Sequence, residues 1–255
     1  MLLVSTIAQL YCGGQYYWYL TLLSTIAQLY CGGQFYWCLT LLTRKAQLYY
    51  SSQFGSLQKM KLPQVQSDID FEVVNSYTTD LSGIYNIITV DDKSTWVNDN
   101  NKQVIRQINV NNDNIKTTKQ ISCEIFDMTL TSNNDILLSV GNSSTSDIKR
   151  LTKSGKIKPF LSVSPLLPLG IHVTSDSNII VGVREPGDPY TLTDKSTRAL
   201  FIFGMNGKQQ HTYQYDSNKH RLFTRPRRIT TNNNKDIVVV DRTSRDTGRV
   251  VVVGR

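Results

Sequence analysis

The sequence predicts an all-β protein, an incomplete β-propeller of about four four-stranded blades out of six, preceded by a low-complexity apolar repeat. The first observation is a pattern of alternating strand, polar turn and apolar strand that occurs at Asn86–Asp99, Met128–Val140, Ile171–Val183 and Arg228–Asp241. The second is its spacing: the residues that precede the second strand are 40, 43 and 58 positions apart. Repeats of about 40–45 residues with several strands each are typical of propeller blades.

The third observation is that two more strands complete most repeats. A third strand is predicted at Val104–Val110, Asp147–Thr152 and Ala199–Gly204, each followed by a short turn and a fourth strand. The dipeptide Asn206-Gly207 is the strongest of these turn signals, and it predicts a type I′ hairpin with positive φ at both residues.

The two ends of the repeated region bear on closure of the ring. Residues Asp70–Thr79 alternate as a strand, in a position where ring propellers often place a closing strand of the last blade. The last repeat has at most three strands, ending with Val250–Val253, so we expect an open edge there. Unpaired backbone groups on an apolar strand promote association, which predicts self-association through this edge.

The segment before the repeats has a different composition. Residues 1–43 carry no charged side chain, and Ser5–Leu23 matches Ser24–Leu42 at 17 of 19 positions. Three interpretations remain open: a translated tandem duplication that forms no fold, a membrane-associated segment, and a signal peptide. We expect residues 1–60 to form no folded domain and residues 61–255 to form the partial propeller, with any membrane contact confined to residues 1–43.

Charge and cysteine content narrow the class of protein. The formal net charge is +8, which favours acidic partners. Of the four cysteines only Cys123 lies in the repeated region, which excludes a disulfide framework and a cysteine/histidine zinc module there. These features favour a reducing compartment, and we predict a cytoplasmic protein.

A basic run at Lys219–Arg228 marks the candidate binding site. In a propeller the loops between blades share one face with the loops between second and third strands, and that face holds twelve basic and seven acidic residues. A one-sided basic surface is expected of a protein that binds a phosphate backbone. The alternative is a set of solvated loops that only keeps the protein soluble. The predicted ligand-binding residues are Arg221, Arg225, Arg227, Arg228, Arg242 and Arg245.

Two further features of this face have both a functional and a structural interpretation. Tyr190 and Phe223 are candidates for stacking on nucleobases, and the alternative is that both anchor loops. The insertion Arg184–Asp194 is too long for a plain turn, so it is either a functional loop or an inserted surface loop.

Several segments resemble NHL repeats. The resemblance lies in Leu167–Ile171, Thr224–Ile229, Asp236–Asp241 and Arg249–Val253, which match the family's Pro-x-Gly-Ile lead-in, its valine-rich strand ending in Asp, and its third strand. It covers about residues 70–255 and is closest to the C-terminal propeller region of tripartite-motif proteins. Asn or Asp replaces the turn glycine of the family, and the strand-ending Asp is found only at Asp241 and Asp99.

This resemblance implies a recognition module that binds a protein or single-stranded RNA. Tripartite-motif proteins are usually ubiquitin ligases through a RING and B-boxes, whose zinc ligands this sequence does not contain. We therefore expect no ligase activity and no catalysis, with neither cofactor nor metal.

The alternative from another class is a metal-dependent hydrolase of the lactonase type, which also uses a six-bladed propeller. Against it, His172, His211 and His220 lie in different parts of the repeats and make no metal set. The sequence also contains no Gly-x-Ser-x-Gly elbow, P-loop or dinucleotide fingerprint.

Overall fold

The computed structural model describes residues 79–254 apart from 92–93, 112–113 and 142–145, and before residue 79 it describes strands only. Every regular element within the described residues is a β-strand. No helix in this part of the chain has the length and hydropathy that crossing a bilayer requires. The all-β prediction is therefore confirmed.

The first of two units, Met1–Cys123, contains three described sheets of two, five and four strands. Its strands are β1 (Ile7–Cys12), β2 (Gln15–Leu20), β3 (Ile26–Cys31), β4 (Gln34–Leu39), β5 (Leu48–Ser51), β6 (Ser56–Lys61), β7 (Glu72–Thr78), β8 (Asn86–Thr89), β9 (Ser94–Asp99), β10 (Val104–Asn111) and β11 (Asn114–Ser122). Strands β8 to β11 form one antiparallel blade in chain order.

Strand β7 confirms one prediction and corrects another. A strand does form at Glu72–Thr78, but it pairs with β6 as the last strand of the five-stranded sheet. The prediction that it closes the last blade is wrong, because strands that follow each other in sequence pair more readily than distant ones. The side chains of residues 1–60 lie outside the described residues, so the predictions made for that segment stay predictions.

The second unit, Glu124–Arg255, consists of three antiparallel sheets in chain order. The strands are β12 (Asp127–Leu130), β13 (Ile136–Gly141), β14 (Ser146–Leu151), β15 (Ile157–Ser162), β16 (Leu167–Val173), β17 (Ile179–Arg184), β18 (Arg198–Phe203), β19 (Gln209–Tyr213), β20 (Pro226–Thr231), β21 (Ile237–Arg242) and β22 (Gly248–Val253). The first two sheets have four strands and the third has three, as predicted. Val250 and Val252 on β22 are exposed.

One turn geometry explains why the sequence pattern repeats. Five hairpins of the second unit contain the same five-residue turn, for example Thr131–Asp135. In each turn the N–H of residue 1 donates to the carbonyl of residue 5, and the N–H of residue 4 donates to the carbonyl of residue 1. The fourth residue has a positive φ in every case. These fourth residues are Asn134, Gly155, Ser177, Gly207 and Lys235. A type I turn followed by one left-handed residue makes a three-residue hairpin loop, which suits the twist of the flanking strands.

This geometry corrects the predicted type I′ turn. Within Asn206-Gly207 only Gly207 has a positive φ, at 78°. The extra loop residue supplies the required change of direction, so a second left-handed residue is unnecessary. In three of the hairpins a threonine hydroxyl at the first position also accepts the N–H of the fifth residue, which fixes the turn further.

The sheet β16–β19 is covered on both faces. Val181 and Ala199 face one apolar core, whereas their neighbours Ile180 and Leu200 face another. Successive residues of a strand point to opposite faces, so sheets stacked face to face produce this division. The second unit is therefore a stack of blade-like sheets with two apolar layers between them.

Two glycines allow the strand backbones to approach closely. A Cβ on Gly170 would lie 2.4 Å from the carbonyl oxygen of Arg227, and one on Gly182 would lie 2.7 Å from that of Pro226. Real Cβ atoms do not tolerate such distances, so only glycine fits at either position. Because of these contacts the beginning of β20 lies directly against β16 and β17.

A buried ion pair connects the first strands of the three sheets. Asp127 on β12 and Arg228 on β20 are each 3% exposed. Nη1 of Arg228 donates to Oδ1 of Asp127, while Oδ2 accepts the N–H of Ile171 on the intervening strand β16 at 3.0 Å. One carboxylate therefore links β12, β16 and β20.

We predict that removing either partner of this pair destabilises the second unit strongly. Arg228→Met should lower the free energy of unfolding by about 3–5 kcal/mol, because it leaves a buried carboxylate uncompensated. Asp127→Asn keeps an acceptor for Ile171 but removes the negative charge that faces the guanidinium, so it should act in the same direction. Denaturant unfolding of both single variants measures these losses.

The double variant Asp127→Asn/Arg228→Met tests the coupling. Because neither charge is then left alone, it should lose clearly less than the two single losses added together. Additive losses in the same unfolding experiment would contradict a coupled pair.

Candidate anion-binding site

Four arginines converge where β17 and β21 end and β20 begins. Arg184 is the last residue of β17, Arg242 is the last of β21, Arg225 immediately precedes β20, and Arg227 lies within it. In an antiparallel sheet one strand begins at the edge where its neighbour ends, so this topology gathers all four at one edge. We refer to Arg184, Arg225, Arg227 and Arg242 as the arginine cluster.

A β-bulge determines the direction of Arg227. Pro226 pairs with Asp241 and Arg228 pairs with Val240, which leaves Arg227 as the extra residue. Bulges re-aim side chains and are common beside functional sites. Arg228 therefore points to the buried Asp127, while Arg227 joins the cluster.

The positive charges of the cluster act on one another. Burial lowers the pKa of Arg227 to about 9, and the positive charges of Arg228, Arg225 and Arg242 add to this shift. Burial, followed by the charges of Arg225 and Arg198, likewise lowers the pKa of Arg184. Gathering like charges in a half-buried site is unfavourable, and a bound anion would offset the repulsion.

Carboxylates near the cluster already serve other groups. The pairs are Glu185 with Arg198 at 2.8 Å, Asp127 with Arg228, and Asp241 with Arg249 at 3.2 Å. The Asp241 carboxylate also accepts the backbone N–H groups of Thr224 and Arg225. Among the described residues, no carboxylate forms an ion pair with Arg184 or Arg225. The site therefore keeps an excess of positive charge.

Two aromatic rings flank the guanidinium groups. The guanidinium carbon of Arg225 lies 5.8 Å from the ring centre of Phe126 and 5.6 Å from that of Tyr190. The same ring of Phe126 lies 5.1 Å from the guanidinium carbon of Arg227. Nη1 of Arg225 also donates to the hydroxyl of Tyr190 at 3.1 Å. Rings and guanidinium groups thus alternate in the order Tyr190, Arg225, Phe126, Arg227, each contact of the cation–π type.

The structure separates the six predicted binding residues into groups. Arg225, Arg227 and Arg242 come together, and Arg245 is exposed on the loop that follows β21. Arg228 is bound to Asp127 inside the fold. Arg221 donates to the backbone carbonyls of residues 193, 194 and 196, so its guanidinium holds the insertion loop. These different roles depend on contacts with residues far away in the sequence, which the sequence alone does not reveal.

Sequence reasoning missed two residues of the site. Arg184 begins the predicted insertion but is not among the predicted binding residues, although it ends β17 as Arg242 ends β21. That shared position was a usable signal. Phe126 offered none, because its partners Arg225 and Arg227 lie about a hundred residues later in the chain.

The two aromatic candidates have different outcomes. Phe223 is 0% exposed and belongs to an apolar core with Ile229 and Val239, so its interpretation as an anchor is confirmed and base stacking is excluded for it. A ring that fills a core has no face left for a ligand. Tyr190 is half-buried beside the arginine cluster, and its stacking role stays a prediction.

The histidines are distributed as the sequence indicates. Nε2 of His172 on β16 lies 3.2 Å from Oγ1 of Thr231 on β20, while His220 contacts Asp216 on an exposed loop. Among the described residues, no three His, Cys, Asp or Glu side chains are close enough to hold one metal ion. The metal-dependent hydrolase stays an untested alternative.

Comparison with solved structures shows the fold. A catalytically inactive virginiamycin B lyase from Staphylococcus aureus, solved with quinupristin, is 14% identical over 92% of this chain and 80% of its own, with a TM-score of 0.53. A luciferin-regenerating enzyme is 9% identical over 94% of this chain and 87% of its own, with a TM-score of 0.57. The fold is therefore all-β and propeller-like.

The hydrazine synthase of Kuenenia stuttgartiensis is also similar, with a TM-score of 0.60 and 10% identity. The match covers 82% of this chain but 59% of that one. No family model matches the sequence. No curated protein matches it either.

These comparisons correct the prediction that the chain has no enzymatic activity. Enzymes are among the proteins that share its fold, including a lyase and a luciferin-regenerating enzyme. The prediction relied on missing zinc-binding modules and short catalytic motifs, and neither absence excludes catalysis by residues gathered from several blades. At 14% identity and below, the similarities establish the fold, and no activity follows from them for this chain.

We predict that stability falls in mild acid because of His172. Burial lowers its pKa from 6.5 to about 4, so the folded state holds it neutral. Its contribution should be fully present above pH 6.5 and be lost as the pH falls towards 4, by at most about 3 kcal/mol. Denaturant unfolding at several pH values measures this loss.

His172→Gln should flatten the pH dependence between 6.5 and 4. The control is His211→Gln, which changes an exposed histidine on β19 and should leave the profile as in the unmodified protein. Equal profiles for His172→Gln and the unmodified chain would show that another group carries the acid sensitivity.

Proposed function

We propose that the chain is a recognition module that binds the phosphate backbone of single-stranded RNA at the arginine cluster, and that exposed Arg245, three residues after Arg242, contributes to this binding. The resemblance to NHL repeats of tripartite-motif proteins supports this proposal. The observation that carries it is the half-buried cluster itself: burial, with the neighbouring positive charges adding to it, lowers the pKa of Arg227 to about 9. A phosphate backbone supplies negative charges at a spacing that several guanidinium groups can share.

The contrast with Arg221 shows that the arginines of this edge are not equivalent. The guanidinium of Arg221 donates hydrogen bonds to three backbone carbonyls and therefore stabilises the fold. The guanidinium of Arg225 instead contacts one tyrosine hydroxyl and two rings. A guanidinium with unused donors beside like charges is suited to an incoming anion.

Aromatic rings within the cluster favour RNA over an acidic protein. Single-stranded nucleic acid is bound by positive grooves combined with aromatic side chains on which bases stack. An acidic peptide would use the arginines but would gain less from the rings of Phe126 and Tyr190. An acidic protein partner is therefore the alternative outcome of the test.

The salt dependence of RNA binding tests this proposal. We predict that the triple variant Arg225→Ala/Arg227→Ala/Arg242→Ala binds single-stranded RNA more weakly than the unmodified chain. Each phosphate neutralised contributes about −0.7 to the slope of log affinity against log salt, so the slope should become shallower by about 2. Fluorescence anisotropy with a labelled RNA over a salt series measures both quantities, and Arg225→Ala alone should change the slope by about a third as much.

A control variant of equal charge is available on the opposite edge of the same unit. Lys153, Lys156 and Lys208 are exposed on the tight turns between third and fourth strands. Replacing these three by alanine should leave the RNA affinity and the salt slope nearly unchanged. Equal losses of RNA affinity in both triple variants would show that binding depends on the net charge of the protein and not on the arginine cluster. Absence of RNA binding together with binding of an acidic peptide would favour a protein partner instead.

A further inference from the structure

The insertion between β17 and β18 is held by a fully buried arginine. Arg198 is 0% exposed, and its guanidinium donates to the carbonyls of Asp188, Pro189 and Thr191 within the insertion. It also donates to the carbonyl of Thr224, just before β20. A buried guanidinium with this many acceptors fixes the path of the loop.

Two further anchors hold the loop on either side of Tyr190. Oδ1 of Asp188 accepts the backbone N–H groups of Tyr190 and Thr191, both at 2.8 Å. Arg221 holds the far end of the insertion through the carbonyls of residues 193, 194 and 196. The loop therefore loses little conformational entropy when a ligand binds, and it presents Tyr190 in one position.

Tyr190 is the part of the loop that reaches the arginine cluster. Its ring packs against the guanidinium of Arg225, and its hydroxyl accepts a hydrogen bond from the same group. Tyr190 as a whole is half-buried. It stands at the end of the alternating series of rings and guanidinium groups that continues through Arg225 and Phe126.

We propose that Tyr190 determines specificity by stacking on a nucleobase of the bound strand, which extends this series by one aromatic unit. The inference rests on the proposed function, since the phosphates of the strand would lie on the arginine cluster. The proposed ligand is then not any polyanion but a nucleic-acid strand that carries bases. One unpaired base of this strand would lie at Tyr190. Any base can stack on an aromatic side chain, so we expect tighter binding of a base-bearing strand than of an abasic strand, with little dependence on the base sequence.

The experiment compares an eight-nucleotide oligouridylate with an abasic RNA of equal length and charge. The unmodified chain should bind the base-bearing strand on the order of tenfold more tightly than the abasic strand. Tyr190→Ala should bring this ratio close to one by weakening only the binding of the oligouridylate. Tyr190→Phe keeps the ring and loses the hydroxyl, so it should retain the preference for bases.

Tyr215 provides the matched control. Its ring also faces an arginine, with 5.5 Å between the guanidinium carbon of Arg221 and the ring centre, and it is 47% exposed. Because Arg221 is engaged with the insertion loop, Tyr215 lies outside the proposed site. Tyr215→Ala should leave the ratio of the two affinities unchanged.

The possible outcomes distinguish the stacking role of Tyr190 from phosphate binding at the arginine cluster. Binding of both strands with equal affinity, unchanged in Tyr190→Ala, would overturn the stacking role and leave phosphate recognition standing. Equal losses in Tyr190→Phe and Tyr190→Ala would assign Tyr190 to the positioning of Arg225 through its hydroxyl, against stacking. Failure of the unmodified chain to bind either strand would overturn the proposed function and this inference together.

Discussion

The carboxylate of Asp127 is the contact on which the geometry of the second unit depends. It accepts a hydrogen bond from Ile171 on β16 and pairs with Arg228 on β20, so one buried group joins the first strands of three sheets. Its desolvation is tolerable only because both oxygens are engaged. The same contact orients the site, because fixing Arg228 inward at the bulge leaves Arg227 to point towards Arg225.

The arginines of this unit differ in how the fold uses the hydrogen-bond donors of their guanidinium groups. Arg198, Arg221 and Arg228 each find carbonyl or carboxylate acceptors and stabilise the fold. Arg184 donates to the carbonyls of Glu185 and Gly187, and Arg225 donates to the hydroxyl of Tyr190. Neither forms an ion pair within the described residues, and the two lie beside each other's positive charge. A guanidinium presents five donors, so the number that the fold uses decides whether any remain for a ligand.

The fold could be predicted well from sequence because its signals are local. Alternating strands and a five-residue turn recur at steps of 40, 43 and 58 residues, and these determine the blades. The site could be predicted only in part, because Arg227 and Arg228 are adjacent in one basic run and yet have opposite roles. What separates them is Asp127, 101 residues earlier in the chain, together with a bulge that no local pattern shows. The choice between stacking and anchoring for Phe223 also depends on distant residues, because β20 and β21 supply the core that buries it.

The two edges of the sheets are under different constraints, which explains where the site lies. At one edge, five hairpins use the same three-residue loop, with backbone hydrogen bonds that leave little room for variation. At the other edge the connections range from the few residues between β15 and β16 to the long insertion before β18. Only there can loops differ in length and composition without disturbing strand register. A propeller-like fold thus separates a uniform structural edge from a variable one, and the variable edge is where binding or catalytic residues can be assembled.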